Sequence, residues 1–104
     1  MTVIYEVNLV VDAEIAVEYR QWLVAHLREM RALPGFTGAR LLEPAEAEAD
    51  ARQVVYCAQY ELASQAALDE YLRVHAARMR ADGITRFGDR FRASRRILRQ
   101  LDRY

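Results

Sequence analysis

The chain has 104 residues, enough for one domain and too few for two ordinary ones, and its 53% apolar and 29% charged residues are those of a globular protein. Fifteen basic residues balance 15 acidic ones, so no net charge draws the chain to nucleic acid or to an anionic membrane. Every basic residue is arginine, which excludes lysine chemistry such as Schiff-base formation, and the single cysteine, Cys57, excludes an internal disulfide and a typical zinc site.

The opening MTVIYEVNLVV has no basic n-region and no small-residue cleavage site, so it does not read as a signal peptide. No apolar run approaches the roughly 20 residues of a membrane span. The expected location is the cytoplasm, with no membrane partner.

Val3 to Val11 is rich in β-branched residues and carries one fully apolar face: Val3, Tyr5, Val7, Leu9 and Val11. It predicts a strand. Asp12 follows as a candidate N-cap. Ile15, Tyr19, Trp22, Leu23, His26, Met30 and Leu33 then recur at helical spacing, and Pro34-Gly35 ends that helix. Phe36 to Glu43 predicts a second strand. The acidic stretch Pro44 to Ala51 lacks apolar anchors and predicts an exposed loop.

Arg52 to Leu62 predicts the third strand, with Ser64 as the next N-cap. A second stripe, Leu68, Tyr71, Leu72, His75 and Met79, predicts a helix that ends at Asp82-Gly83. ITRFGDR reads as an irregular connection with at most a short helical turn. Phe91 to Arg99 is the fourth strand, and a short tail follows.

The order β-α-β-β-α-β is the split βαβ, or ferredoxin-like, arrangement of one α+β domain spanning 1–104. It implies a four-stranded antiparallel sheet with two helices on one face. A repeat supports it. WLVAHLREMRA (Trp22 to Ala32) and YLRVHAARMRA (Tyr71 to Ala81) share an aromatic-Leu-x-x-His-x-x-x-Met-Arg-Ala pattern, 49 residues apart. The same offset carries the apolar face of the first strand onto Val54, Tyr56, Ala58, Tyr60 and Leu62. The repeat thus marks the approximate two-fold axis relating the halves of such a fold.

The other face of the sheet carries Ile4, Glu6, Asn8 and Val10, with Val55, Cys57 and Gln59. That face is too apolar for water and too polar for an ordinary core. The expected resolution is an identical subunit packed sheet to sheet, giving a homodimer in the form of a small barrel. Glu6, Asn8, Cys57 and Gln59 are the expected interface residues. A buried Glu6 needs an arginine, from Arg40, Arg95 or Arg96, or it binds a proton. The alternative is a solvated sheet face.

The stretches IYEVNLVVD, YRQWLVAHL, GFTGARLL, YCAQYE, LDEYLRVHA and FGDRFRASRRIL span nearly the whole chain. By their order and spacing the chain resembles the dimeric α/β-barrel superfamily of ferredoxin-like dimers. Within it, the chain is similar to an uncharacterised bacterial family known only as a domain of unknown function. The resemblance implies a pocket between sheet and helices. It implies no single activity, because the superfamily includes cofactor-free monooxygenases, haem-handling proteins and muconolactone isomerase-like enzymes.

His26 and His75 are the candidate catalytic residues: on their stripes both face the sheet and could act as a general acid/base pair. The plainer reading is two histidines satisfied within the core. No aspartate or glutamate lies at ligand spacing beside either histidine on its apolar stripe, so no metal is expected, and no cofactor is implied. Tyr5, Trp22, Tyr56 and Tyr71 are the candidate ligand-binding residues, for a flat apolar or aromatic molecule; Tyr19 and Tyr60 point the same way. The plainer reading of this set is core. Cys57 faces away from both histidines and reads as a structural thiol.

Seven arginines between Arg86 and Arg103 face only Asp89 and Asp102. They could meet a phosphate or RNA, yet VVYCAQYEL lacks the exposed aromatic, glycine-containing basic motif of RNA-recognition domains. No nucleic-acid partner is expected. A charged edge strand that resists further pairing is the better account. Three functions remain open: binding of a small apolar molecule, a cofactor-independent monooxygenase- or isomerase-like enzyme using His26 and His75, and a structural or regulatory dimer with no ligand.

Overall fold

The computed structural model describes residues 1–46 and 52–104. Its strands are β1 (Val3–Asp12), β2 (Phe36–Leu42), β3 (Gln53–Leu62) and β4 (Phe91–Arg99). Its helices are α1 (Ala16–Arg31), α2 (Gln65–Val74) and α3 (Ala76–Phe87). The strands form one antiparallel sheet in the order β2-β3-β1-β4. This is the ferredoxin-like α+β fold, with its helices on one face. The acidic loop expected over Pro44–Ala51 lies outside the described residues from position 47 onward.

β1 sits centrally because its alternation is cleanest. Val3, Tyr5, Val7, Leu9 and Val11 are all buried against the helices. Across β3 the same face is supplied by Tyr56, Ala58, Tyr60 and Leu62. The offset of the sequence repeat thus pairs two strands that are neighbours in space. A fully buried leucine such as Leu68 contributes about 1.5–3 kcal/mol relative to an exposed one.

Three local expectations are corrected. Asp12 does not cap α1; its carboxylate accepts from Arg90 Nε at 2.7 Å, and a single 3₁₀ turn (Ala13–Ile15) leads into the helix. The helix expected to end at Asp82-Gly83 continues to Phe87 and stops at Gly88, whose φ of 55° suits glycine. And the second helix is two helices, broken at His75.

That break has a physical reading in the burial pattern. α1 buries Tyr19, Leu23, Leu27 and Met30. α2 buries Leu68 and Tyr71, and α3 buries Ala76, Met79 and Gly83. Tyr71 to Ala76 is a five-residue step, where a continuous helix repeats its face every three or four. The break absorbs that slip, so Ala76 takes the inward position and His75 is turned outward. Ser64 caps α2 as expected, accepting from the Ala67 amide at 3.1 Å.

Candidate functional site

Gly83 is buried inside α3, and a methyl group there would lie 2.9 Å from the Trp22 ring. Its neighbour Asp82 accepts the indole N–H of Trp22 at 2.6 Å. That bond holds the Asp82 carboxyl below its ordinary range. The Asp-Gly pair that reads as a helix stop is therefore a cradle: one residue leaves room for the indole and the other fixes its N–H. Glycine inside a helix costs about 1 kcal/mol against alanine, so a close contact has to justify it.

With Trp22 so placed, a cavity of about 270 Å³ opens between α1, α3 and the β1–β4 side of the sheet. This is near the lower limit of about 300 Å³ for small-molecule pockets. Two aromatic groups flank it. Tyr5, Tyr60 and Tyr71 contribute rings from one group, with Tyr5 and Tyr71 centred 5.7 Å apart. Tyr19, Trp22 and Phe91 contribute from the other, where Tyr19 and Phe91 lie 5.2 Å apart. Burial, then the neighbouring Tyr5, pushes the Tyr71 phenol up to about 12. Burial raises Tyr19 and Tyr60 as well. The phenols are neutral at physiological pH.

His26 lies one turn beyond Trp22 and stacks on it, with centroids 4.6 Å apart and planes 19° from parallel. Both rings also line a second, more open groove with Glu18, Glu29 and Asp82. They form the wall between the inner cavity and the acidic groove outside. Burial lowers the His26 pKa, against the opposing pull of Glu29 and Asp82. The imidazole is neutral at pH 7 and can accept a proton.

The four other aromatic and histidine candidates divide. Tyr5 and Tyr71 join Trp22 and His26 in the cavity wall. His75 does not: the expectation that both imidazoles face one inner layer is corrected, because the helix break turns His75 outward, where its Nδ1 lies 3.1 Å from Arg78. Tyr56 is buried but lines no part of the cavity; the Arg20 guanidinium lies 6.0 Å from its ring centre.

Two arginines complete the cavity, one of them Arg95, which faces away from Glu6 rather than pairing with it. Arg80 donates to the Tyr5 hydroxyl at 2.8 Å. Arg95 faces the helices from β4, in alternation with Phe91 and Ala93. Strand alternation would have found Arg95 once the facing of the edge strand was known. Arg80 follows Met79 in the repeated Met-Arg-Ala, and only the packing of α3 turns it toward the cavity.

The opposite sheet face is organised by Glu6, which is 3% exposed. Its carboxylate pairs with Arg96 Nε, accepts from Gln59 Nε2 at 2.8 Å and accepts from Asn8 Nδ2 at 3.1 Å. Arg40 extends the row to Gln59 at 2.7 Å. Register partners Arg40, Gln59, Glu6 and Arg96 thus cross all four strands in one line. The Arg96 bond, with help from Gln59, holds the Glu6 carboxyl at about 2 against the opposing effect of burial. Burial and the adjacent Glu6 push the Cys57 thiol up, which keeps it protonated and unreactive.

Among the described residues, no cluster of three or more His, Cys, Asp or Glu could hold a metal, and no helix is long and apolar enough to cross a membrane. Residues 2–101 match the model of a family described as a domain of unknown function, DUF4286. The chain belongs to that family. No curated protein matches this DUF4286 chain. Its fold is similar to that of a putative antibiotic biosynthesis monooxygenase from Deinococcus radiodurans, at 16% identity and a TM-score of 0.74 over 98% of this chain and 95% of that one. It is also similar to SnoaB, a cofactor-independent oxygenase from Streptomyces nogalater, at 13% identity and a TM-score of 0.68 over 97% and 95% of the two chains. A dimeric ferredoxin-like protein of unknown function from Jannaschia sp. CCS1 aligns over 88% of this chain and 97% of its own, at 24% identity and a TM-score of 0.51. At these identities the likeness is one of fold.

Proposed function

We propose that this DUF4286 protein binds a small, largely apolar, planar molecule in the cavity between its helices and its sheet. The observation that carries the reading is the cavity itself: about 270 Å³, walled by Tyr5, Trp22, Tyr71 and their aromatic neighbours. A chain that needed only a core would fill such a space, because voids in a core cost stability. Naphthalen-2-ylmethanol, a neutral bicyclic probe, tests it by calorimetric titration. Saturable binding to the wild type, abolished in a folded Ala93→Phe variant whose new ring fills the cavity, is the expected result. Absence of binding to the wild type sinks the reading.

A second reading is favoured by one specific feature, the neutral His26 imidazole in the cavity wall. In it the protein is a cofactor-independent enzyme in which His26 removes a proton from the bound molecule. The similarly folded cofactor-independent oxygenase SnoaB and the Deinococcus monooxygenase support that class of chemistry. Exchange of the acidic C–H protons of 2-tetralone in D2O, followed by NMR, is the measurement. Acceleration by the wild type and its loss in His26→Gln are expected; equal rates with and without protein exclude it.

The open sheet face completes the proposal as a homodimer interface built on Glu6, Asn8, Cys57 and Gln59. Val55 and Leu42 are 39% and 41% exposed on that face, which leaves apolar surface beside a polar row already satisfied within the chain. A second copy would cover both. The similarly folded dimeric protein from Jannaschia supports a homodimer as such. Sedimentation should give a dimer at micromolar concentration and a monomer for Val55→Asp; a monomeric wild type contradicts it.

A further inference from the structure

Arg80 and Arg95 both line the aromatic cavity, and no aspartate or glutamate lines it among the described residues. Arg80 is half-buried and Arg95 is exposed at the edge of the cavity, so the pair presents positive charge to that space with no carboxylate of its own to answer it. Arg80 uses one amine on the Tyr5 hydroxyl, yet its Nε is buried and has no hydrogen-bond partner. Buried donors without partners are rare in folded proteins. Arg95 has neither an ion pair nor a hydrogen bond among the described residues. Its charge reaches the Tyr19, Tyr60 and Tyr71 phenols, so it acts on the space those rings enclose.

The carboxylates that could have neutralised these arginines are elsewhere. Asp82 is engaged with Trp22 and Arg86 on the outer side of the Trp22–His26 wall, in the groove with Glu18 and Glu29. The wall therefore separates a groove that holds Glu18, Glu29 and Asp82 from an aromatic cavity lined by Arg80 and Arg95 and by no carboxylate. An arginine fork suits an oxygen anion better than any other partner, since its N–H groups match the lone pairs of a carboxylate or phenolate.

We propose that the ligand of this cavity is a planar apolar molecule bearing one anionic oxygen group, a carboxylate, phenolate or enolate, which sits between Arg80 and Arg95. The inference rests on the cavity being a binding site and adds the chemical class of its occupant. In the enzyme reading, the same pair would hold the negative charge left when His26 takes a proton.

The test compares two probes of nearly equal shape, 2-naphthoate and naphthalen-2-ylmethanol, by calorimetry against the intact protein. The naphthoate should bind at least about tenfold more tightly, as a charge-assisted hydrogen bond predicts. Arg95→Met should erase that preference by weakening the naphthoate far more than the alcohol, while Arg95→Lys should retain part of it. Arg80→Met is the second variant, should Arg95→Met fail to fold, and it should likewise narrow the ratio. If the alcohol binds and the naphthoate binds no better, the anion inference is overturned and the binding site stands. A preference that survives both methionine substitutions also overturns it. If neither probe binds, the site itself is refuted.

Discussion

The two halves of this chain share an eleven-residue pattern, identical at five positions, and put it to different uses. Trp22 and Tyr71 are equivalent in the repeat, as are Leu23 and Leu72, and His26 and His75. In α1 the helix is continuous, Leu23 is buried, and Trp22 stands on the flank with His26 stacked on it. In α2 the inward aromatic is Tyr71, at 2% exposure, while Leu72 is 38% exposed. The helix is turned by about one residue there, and the break at His75 restores the phase before Ala76 and Met79. The lesson is that a repeat in sequence sets which elements form but not the rotation of each about its axis. That rotation depends on what the helix packs against.

The largest effect should come from paired truncations. Leu23→Ala should cost about 2–5 kcal/mol, as buried leucines do, while the equivalent Leu72→Ala should cost less than about 0.5 kcal/mol. Urea unfolding measures both. Equal costs would mean that the halves pack alike and that α2 is not rotated.

The strands differ in the same way, since Glu6 is equivalent to Val55 under the repeat offset. Making the halves alike with Glu6→Val strands Arg96, Gln59 and Asn8 without their shared acceptor and should cost about 1–3 kcal/mol at neutral pH. The Glu6 pKa is depressed from 4.5 to about 2, so its contribution is complete above 4.5 and is lost as pH falls toward 2. Wild type and variant should therefore converge in stability across that window. A gap that stays constant there would show that the carboxylate charge is not what the row depends on.

Gly83→Ala should have a smaller cost. Alanine favours the helix by about 1 kcal/mol, but its methyl meets the Trp22 ring, and overpacking of that kind costs about 1–3 kcal/mol. Loss of up to about 2 kcal/mol with a shifted tryptophan emission is expected. A stabilised variant with unchanged emission would mean that the indole has room to move and that Gly83 is no cradle.

The smallest effect is a titration. Trp22 is the sole tryptophan, and a protonated imidazole stacked on an indole quenches it. Emission should fall with a midpoint below 6.5, and His26→Gln should remove the transition. Because the folded pKa is lowered, the stability it represents is whole above 6.5 and declines as pH drops through the folded value. A midpoint at or above 6.5 would place His26 in water rather than in the cavity wall.

Much of the site was half legible. Tyr5, Trp22, Tyr71 and His26 follow from periodicity alone, because side-chain facing on a regular element is fixed by its repeat. His75 was misplaced because the helix break leaves no glycine or proline in the sequence to mark it. Arg95 was undecided because an edge strand with charge on both faces has no apolar alternation to follow. Asp82-Gly83 was mistaken for a stop because its real partner, Trp22, is 60 residues away.

Local chemistry by itself therefore determined the order of elements, the antiparallel ferredoxin-like sheet, its buried face and the turns at Pro34-Gly35 and Ser64. Those follow from alternation, helical spacing and capping, which neighbouring residues settle among themselves. Only the tertiary structure decided that the helix bends at His75, that Gly83 admits an indole, and that two arginines share an aromatic cavity with His26. Each of these depends on contact between residues far apart in the chain.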